Sequence, residues 1–396
     1  MNHRMRATVI VLSLLVVGYV VVGSVLGRTA SEGAYKELAV FSEVFSRVQH
    51  DYVEEPDLDL VTVGALHGLV SELDSYSSYL SPHEYERYQQ QEQEQGDVGI
   101  VLSKRQGWVS VVTVLPDSPA ARADLHTGDI LESIAGFSTR EMSIEQARIL
   151  LNGEPGTAVE VSLVHPPNTE PRMLELLRVR LSPPRILARR LGEGIGYVKI
   201  AGFHEETAEQ VASALRDFQQ RGIDKLVLDL RDAATGTVDE AVATAALFLD
   251  GGLITYSEGQ QTARQQWTAD PAQQIWRGAL AVLINLGTAG PGEVLAAAVE
   301  NHGRGELLGQ HTYGIGGVQK LIPLEDGSAL ILTVAKYYTA AGRVLPGQGI
   351  APTIQVEPSE GQVLRPLPHA LPPPGDPVLL RALEVLRQAE AVEAAA

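Results

Sequence analysis

Two glycine-rich segments near the end of the chain contain the side chains that could take part in hydrolytic chemistry. The first, 287–293, carries the hydroxyl of Thr288, and the second, 309–319, is followed directly by Lys320. A hydroxyl attacks a carbonyl only when a neighbouring base takes its proton, and a desolvated lysine can serve because burial lowers its pKa. Thr288 and Lys320 are therefore candidate side chains for acyl transfer.

The elements around these segments must hold them in place. Apolar runs predict strands at Gly194–Ile200, Lys225–Leu230 and Ala279–Asn285, and amphipathic patterns predict helices at Thr207–Arg221 and Asp239–Asp250. Strands that alternate with helices are typical of layered α/β structures. We therefore predict a mixed α/β core that presents the two glycine-rich segments.

Both segments resemble the carboxyl-terminal processing peptidases, a Ser/Lys-dyad family also called tail-specific proteases. Residues 287–293 match the family's Gly-Ser-Ala-Ser-Ala-Ser-Glu, and residues 312–319 match Thr-Phe-Gly-Lys-Gly-x-Val-Gln. In the family the central Ser is the nucleophile and the Lys is its base. The resemblance places Gly290 at the nucleophile position and Ile315 at the base position, whereas Gln319 is retained.

Neither substituted residue can perform the family's chemistry. Gly290 has no side chain to attack a carbonyl, and Ile315 has no lone pair to accept a proton. The loss of one member of a catalytic unit costs nearly as much rate as the loss of all. The resemblance thus implies an inactive member. The alternative is an active peptidase with a displaced site, in which Thr288 is the nucleophile and His302 or His311 assists.

The oxyanion turn of the family is also changed. Relatives follow the strand with Arg-Asn-Asn-Pro-Gly-Gly, whose backbone N–H helps to form the oxyanion hole. This chain has Asp232, no proline, and Thr235 in place of the first glycine, whereas Gly236 is kept. A non-glycine residue resists positive φ, and oxyanion donors act only where negative charge develops. We predict a reshaped turn with a weakened catalytic role.

Residues 119–136 resemble the PDZ signature of these proteases. In PDZ domains a peptide adds as a strand beside a helix, and a glycine-rich loop holds its C-terminal carboxylate. Asp97 stands where relatives have glycine, so its charge disfavours an anionic ligand. The alternative is a PDZ fold that is retained with little peptide affinity. The resemblance assigns peptide contacts to Gly96, Asp97, Val98, Gly99, Ile100, Ile144, Ala147 and Leu151.

The N-terminus predicts a membrane anchor. A basic segment, 1–6, precedes 21 uncharged residues, 7–27, which would span about 30 Å as a helix. The positive-inside rule keeps the first residues cytoplasmic, so the body from Thr29 onward is expected on the periplasmic or extracytoplasmic side of the inner membrane. A cleaved signal peptide is the alternative, although its apolar region is normally shorter.

The amino-acid composition limits the classes of molecule that this chain is expected to bind. The chain has 49 acidic and 31 basic residues and a net charge of −18, which disfavours nucleic acid and anionic lipid surfaces. It contains no cysteine, so disulfides are excluded. No metal or cofactor is expected. Polypeptide C-termini or an active protease relative are the expected partners, in a homo- or hetero-oligomer.

These observations predict a multidomain α/β (α+β) protein. Its function is expected to be that of an anchored, exported pseudoprotease that binds without cutting. The alternatives are an active endopeptidase with an atypical site and a structural subunit of a protease complex. The expected regions are an anchor, 1–28; a helical region, 29–93; a PDZ-like domain, 94–182; a protease-type core, 183–356; and a Pro-rich tail with a terminal helix, 357–396.

Overall fold

The computed structural model describes residues 36, 38–94, 96–140, 142–357, 372–373 and 375–393. The predicted anchor, 1–28, lies outside the described residues. Within the described part of the chain, no helix is long and apolar enough to cross a membrane. The chain divides into two compact units, Met1–Leu66 and His67–Ala396.

The described part of the first unit is helical. Helix α1 covers residues 38–51, and α2 (Leu58–Ser71) begins in this unit. Asp57 caps α2, because its Oδ1 accepts a hydrogen bond from the backbone N–H of Leu60 at 3.0 Å. Helix α1 has an exposed apolar stripe at Leu38, Phe41 and Val44.

The second unit continues with β1 (Ser78–Leu80) and α3 (Pro82–Glu94), followed by a PDZ-type domain. The elements of this domain are β2 (Ile100–Arg105), β3 (Trp108–Val114), α4 (Pro119–Arg122), β4 (Ile130–Ile134), β5 (Phe137–Ser138), α5 (Ile144–Leu151), β6 (Ala158–Val164) and β7 (Arg172–Leu177). They form an antiparallel sheet of order β2-β3-β4-β6-β7, with β5 paired to β4. Helix α5 begins at a capping box between Ser143 and Gln146.

Two further sheets make up the protease-type core. Its elements are β8 (Leu187–Leu191), β9 (Ile195–Lys199), α6 (Thr207–Gln220), β10 (Lys225–Asp229), α7 (Val238–Ala246), β11 (Gly252–Glu258), β12 (Gln265–Ala269), β13 (Ala279–Ile284), α8 (Pro291–Asn301), β14 (Glu306–Gly309), β15 (Gly317–Pro323), β16 (Ala329–Thr339), β17 (Ile354–Gln355) and α9 (Pro377–Glu393). Two 3₁₀ turns, Gly192–Gly194 and Pro271–Gln273, complete the list.

The central sheet has the order β17-β14-β13-β10-β9-β8 and is parallel except for β8. The other sheet is antiparallel, with the order β1-β16-β11-β12 and β15 paired to β16. Strand β1 therefore joins the segment before the PDZ-type domain to the core. The mixed α/β architecture predicted from the sequence is confirmed.

The middle strand of the central sheet is buried on both faces. Leu226 and Leu228 pack with α6, α7 and α8, whereas Val227 packs on the opposite face with Ala382 and Leu386 of α9. A strand covered on both sides needs apolar residues at every position, which explains the unbroken apolar run that predicted β10.

A buried charge network lies where β10 ends. The Asp229 carboxylate accepts hydrogen bonds from the Tyr197 hydroxyl at 2.7 Å and from Arg231 Nη2 at 2.6 Å. Arg231 Nη1 also donates to Asp376 just before α9, at 2.6 Å. Burial alone would raise the pKa of Asp229, but the adjacent Arg231 guanidinium holds it well below its usual range. The network fixes the start of the turn that follows β10.

Candidate active site

Three loops meet at the carboxyl edge of the central sheet: the turns after β10 and β13 and the segment before β15. The backbone N–H of Ala289 donates to the carbonyl of Ala233 at 3.1 Å, and that of Tyr313 donates to the carbonyl of Thr288 at 3.0 Å. Clefts at this edge are the usual ligand sites of open α/β sheets. The two glycine-rich segments are thus neighbours in space.

Gly290 forms a sharp strand-to-helix turn between β13 and α8. It is the N-cap of α8, with φ 53° and ψ −112°, a conformation that is strained for any residue with a side chain. Nucleophilic residues of hydrolases often occupy such elbows, which expose the reactive atom above the sheet. A Cβ placed here would have only the Ile315 carbonyl oxygen within 4 Å, at 3.8 Å. The elbow keeps its shape and its open space.

The buried carboxylate of Glu293 joins the elbow at Gly290 to residues 310–316. We call residues 310–316, which include the base position Ile315, the base segment. Glu293 accepts hydrogen bonds from the backbone N–H groups of Gly290 (2.9 Å), Gly314 (2.7 Å) and Ile315 (2.8 Å), and from the Thr312 hydroxyl. Its side chain is fully buried. Burial raises the pKa of Glu293 to about 7, although all four hydrogen bonds lower it. We call this set of contacts the Glu293 clamp.

The side chain at the base position itself, Ile315, cannot accept a proton. Ile315 is half-buried, and the clamp holds its backbone near the elbow. Gln319, which lies on β15, is exposed, and its Nε2 donates to Thr333 Oγ1 at 3.4 Å. Gly290 and Ile315 thus lie close together in space. Neither side chain can act as a nucleophile or as a base.

The turn after β10 keeps two left-handed residues. Asp232 has φ 64° and Gly236 has φ 99°, whereas Thr235 is not in the left-handed region. The substitution of the first glycine by Thr235 therefore carries no backbone strain. Instead, the Thr235 hydroxyl makes a 3.1 Å hydrogen bond with His204 Nε2, a partner that the sequence did not reveal.

Asp232 also changes the electrostatics of this turn. Its Oδ1 accepts a hydrogen bond from Asn285 Nδ2 at 2.9 Å, but its buried Oδ2 has no hydrogen-bond partner among the described residues. An unpartnered carboxylate oxygen beside a site built to hold an oxyanion opposes the accumulation of negative charge there. The turn is thus well folded, and its Asp232 carboxylate disfavours negative charge beside it.

The candidate substitute nucleophile is inaccessible. Thr288 is fully buried, and its hydroxyl donates to the Leu230 carbonyl at 2.8 Å and accepts from the Asn285 N–H at 3.1 Å. His302 is engaged with the Leu253 carbonyl at 2.9 Å. These contacts assign both side chains to the scaffold. The described geometry gives no support to Thr288 as a nucleophile.

In the loop that the resemblance assigns to carboxylate binding, the Asp97 side chain already occupies a backbone N–H group. Asp97 Oδ1 accepts a hydrogen bond from the Gly99 N–H at 2.7 Å, and the Asp97 backbone pairs with Val179. Gly99 has φ 87°, and a Cβ there would overlap Ser118. One amide that could bind a ligand carboxylate therefore already binds an internal one.

The other assigned residues lie around this loop. Gly96 pairs with Gly153, and Ile100 begins β2. Four side chains are buried in the core of the domain rather than exposed on an open groove: Val98, Ile144, Ala147 and Leu151.

Comparison with known proteins identifies the family. Residues 194–356 match peptidase family S41, and residues 110–164 match the PDZ domain family. A carboxy-terminal-processing protease of Bartonella bacilliformis is 31% identical over 332 residues, which cover 82% of this chain and 76% of that relative. This chain belongs to peptidase family S41, among the carboxyl-terminal processing peptidases.

Other members of the family agree with this assignment. The carboxy-terminal processing protease CtpA of Bacillus subtilis is 26% identical over 337 residues, 84% of this chain and 72% of that protein. The solved structure of a photosystem II D1 C-terminal processing protease superposes with a TM-score of 0.67 at 27% identity, covering 81% of this chain and 93% of that one. The S41 match contains Gly290 and Ile315, so both substitutions lie within the peptidase domain.

The role of Glu293 was not predicted from the sequence, in which it is one of the residues that match the family segment. The capping-box spacing, with an acidic side chain three residues after the N-cap, was the available signal. The contacts with Gly314 and Ile315 come from a loop more than twenty residues away and have no local signature.

The strained backbone of Gly290 predicts that an alanine at this position lowers the stability of the protein. Gly290→Ala should lower the free energy of unfolding by about 1–3 kcal/mol, because an L-residue resists φ 53° and ψ −112°. The control is Gly68→Ala in the exposed part of α2, which should be neutral or stabilising, since glycine disfavours helices. Chemical denaturation monitored by circular dichroism measures both, and equal effects would contradict a strained elbow.

The Glu293 clamp predicts that an isosteric amide is harmful. Glu293→Gln should destabilise the protein by about 2–3 kcal/mol at about pH 8, because the new NH₂ group faces backbone N–H donors. Glu325→Gln, at an exposed position of the same domain, should change stability little. Denaturant titration compares the pair, and a harmless Glu293→Gln would show that the carboxylate does not hold the loops.

Proposed function

We propose that this chain is a membrane-anchored, exported pseudoprotease that binds protein C-termini or a partner protease without cleaving them. The observation that carries the proposal is the contrast between scaffold and chemistry. The Glu293 clamp holds the elbow and the base segment together, yet Gly290 and Ile315 provide neither a nucleophile nor a base.

The chemical argument rests on what acyl transfer requires. A covalent mechanism needs an activated nucleophile and a group to take its proton. The candidate substitute hydroxyl, Thr288, is buried and hydrogen-bonded on both sides, and the unpartnered Asp232 oxygen opposes an oxyanion. An active peptidase with a displaced site is therefore the weaker alternative.

Peptide binding is supported by what the fold retains. An extended chain can pair with a protein through backbone hydrogen bonds, and this needs no catalyst. The relatives are named for processing carboxyl termini, which suggests that class of ligand here. Asp97 weakens the PDZ-type domain for this task, because its carboxylate occupies the Gly99 amide. We therefore expect weak, micromolar-order affinity.

The location is proposed from the N-terminal sequence. The basic segment 1–6 and the uncharged segment 7–27 are suited to a single-pass anchor whose first residues are cytoplasmic. The body would then lie on the periplasmic or extracytoplasmic side.

A structural role beside an active relative is the second candidate. One observation favours it: the side chains of Leu38, Phe41 and Val44 leave an apolar stripe of α1 between 49% and 61% exposed. Such a stripe can bind a helix of another subunit. Pull-down of the full-length protein distinguishes the two roles, since a protease relative supports the subunit role and a substrate-like tail supports peptide binding.

Because the nucleophile and the base are absent, we expect no peptide cleavage by the wild-type protein and only partial recovery of cleavage by substitution. The wild-type protein should not hydrolyse unstructured peptides above background, and Gly290→Ser with Ile315→Lys should restore weak cleavage at most. Adding Asp232→Asn and Thr235→Gly should raise the rate further, because one oxyanion donor is worth about 10²–10³ in kcat. Peptide cleavage is followed by mass spectrometry.

The control for this series is Gly290→Ala with Ile315→Lys, which supplies a base without a nucleophile and should stay inactive. Cleavage by the wild-type protein would contradict the pseudoprotease proposal. Cleavage by the Ser/Lys variant at the rate of an active relative would instead show that the turn after β10 is still competent.

The occupied PDZ loop predicts that removing one charge strengthens peptide binding. Peptides with free apolar C-termini should bind with micromolar affinity, near −8 kcal/mol, and amidated peptides should bind more weakly. Asp97→Gly should strengthen binding roughly fivefold, since two like charges 4 Å apart in water repel by about 1 kcal/mol. Fluorescence anisotropy measures each affinity.

Glu170→Gly, which removes an exposed acidic side chain elsewhere in the same domain, serves as the control and should leave affinity unchanged. If free-acid and amidated peptides bind equally, or if neither binds, the loop does not recognise a carboxylate and the subunit role is favoured.

A further inference from the structure

Three metal-ligating side chains converge on the PDZ-type domain, outside the assigned peptide loop. One ligand atom from each of His126, Asp129 and His165 lies within 4.8 Å of the others. The pairing of β4 with β6 explains the meeting, because Ile130 opposes Val164 and so places the residue before one strand beside the residue after the other. The cluster has no local sequence signature, because Asp129 and His165 lie 36 positions apart.

The spacing of the three side chains suits a small divalent ion. His165 Nδ1 lies 2.5 Å from Asp129 Oδ1, and the two imidazole rings have centroids 5.4 Å apart at an interplanar angle of 63°. Tetrahedral zinc, with bonds near 2.0–2.1 Å, separates its ligand atoms by about 3.3 Å. A small outward shift of His165, whose side chain is 39% exposed, opens that distance.

The surrounding contacts orient the ligands. Asp129 is almost fully buried, and its Oδ2 accepts a hydrogen bond from the backbone N–H of His126 at 2.9 Å. This leaves Asp129 Oδ1 turned towards His165. Asp124 Oδ1 lies 3.5 Å from His126 Nε2. With zinc on His126 Nδ1, Asp124 would hold the opposite side of the ring, as carboxylates commonly do for zinc-binding histidines. The cluster therefore has a ligand set and, in this arrangement, outer support.

We propose that His126, Asp129 and His165 bind one Zn²⁺ ion, with water as the fourth ligand. Two imidazoles and a carboxylate match the preferences of zinc, whereas a hard ion such as Mg²⁺ prefers oxygen ligands alone. The Arg172 guanidinium is close enough to His126 to interact electrostatically, and its charge opposes a cation. The site therefore binds zinc with moderate, micromolar-order affinity.

A bound ion would cross-link the turn at 126–129 to the end of β6. That turn belongs to the segment 119–136, and its backbone is already closed by the Asp129 N–H bond to the His126 carbonyl. Zinc would stabilise the PDZ-type domain in the folded state, since an ion that binds only the folded form raises its stability by mass action. The role is structural and independent of the peptidase site.

Zinc titration of the untagged full-length protein, stripped with chelator and followed by calorimetry, tests the proposal. We expect one ion per chain, and at least tenfold weaker binding for both His126→Ala and His165→Ala. His83→Ala removes an exposed histidine outside the cluster and should bind as the wild type does. Arg172→Gln should bind zinc several-fold more tightly, because it removes an opposing charge.

The thermal unfolding midpoint of each variant without zinc shows whether it is folded. His165→Gln provides a second, less disruptive change at an exposed side chain, and it should weaken zinc binding as His165→Ala does. The absence of stoichiometric binding by the wild-type protein would overturn the proposal. Unchanged affinity in His126→Ala and His165→Ala would overturn it equally, since zinc would then bind elsewhere.

Discussion

The active-site region depends on one buried carboxylate. Glu293 receives hydrogen bonds from the elbow on one side and from the loop before β15 on the other, so it determines how the two segments face each other. None of these contacts involves the side chain of residue 290 or 315. The contacts that hold this region therefore do not depend on a hydroxyl at position 290 or an amine at position 315.

The same separation of scaffold and chemistry explains the turn after β10. Its start is fixed by the Asp229–Arg231 ion pair, and its two left-handed positions are occupied by Asp232 and Gly236. Aspartate tolerates the left-handed region better than most residues, so the fold accepts it. The change is electrostatic, because the Asp232 side chain brings a buried carboxylate oxygen without a hydrogen-bond partner among the described residues. Function resides in the site and not in the fold.

Local patterns were sufficient to predict most of the core. The apolar run of β10 reflects burial on both of its faces, and the amphipathic pattern of α6 reflects burial on one face. Both elements end within a few residues of the predicted positions. The conformation of Thr235 was not predictable, because its φ depends on how the turn packs. Nor was the bond from Asp97 to the Gly99 amide, since it depends on the loop geometry. Local patterns predict elements but not the contacts between distant loops.

The most direct test of a site without a nucleophile is intact-mass measurement of the wild-type protein after incubation with a mechanism-based acylating β-lactone. An active member of family S41 serves as the positive control. The structure predicts no stoichiometric adduct, because Gly290 offers no hydroxyl and that of Thr288 is buried. A stoichiometric adduct mapped to Thr288, or to Thr235 beside His204, would contradict the account.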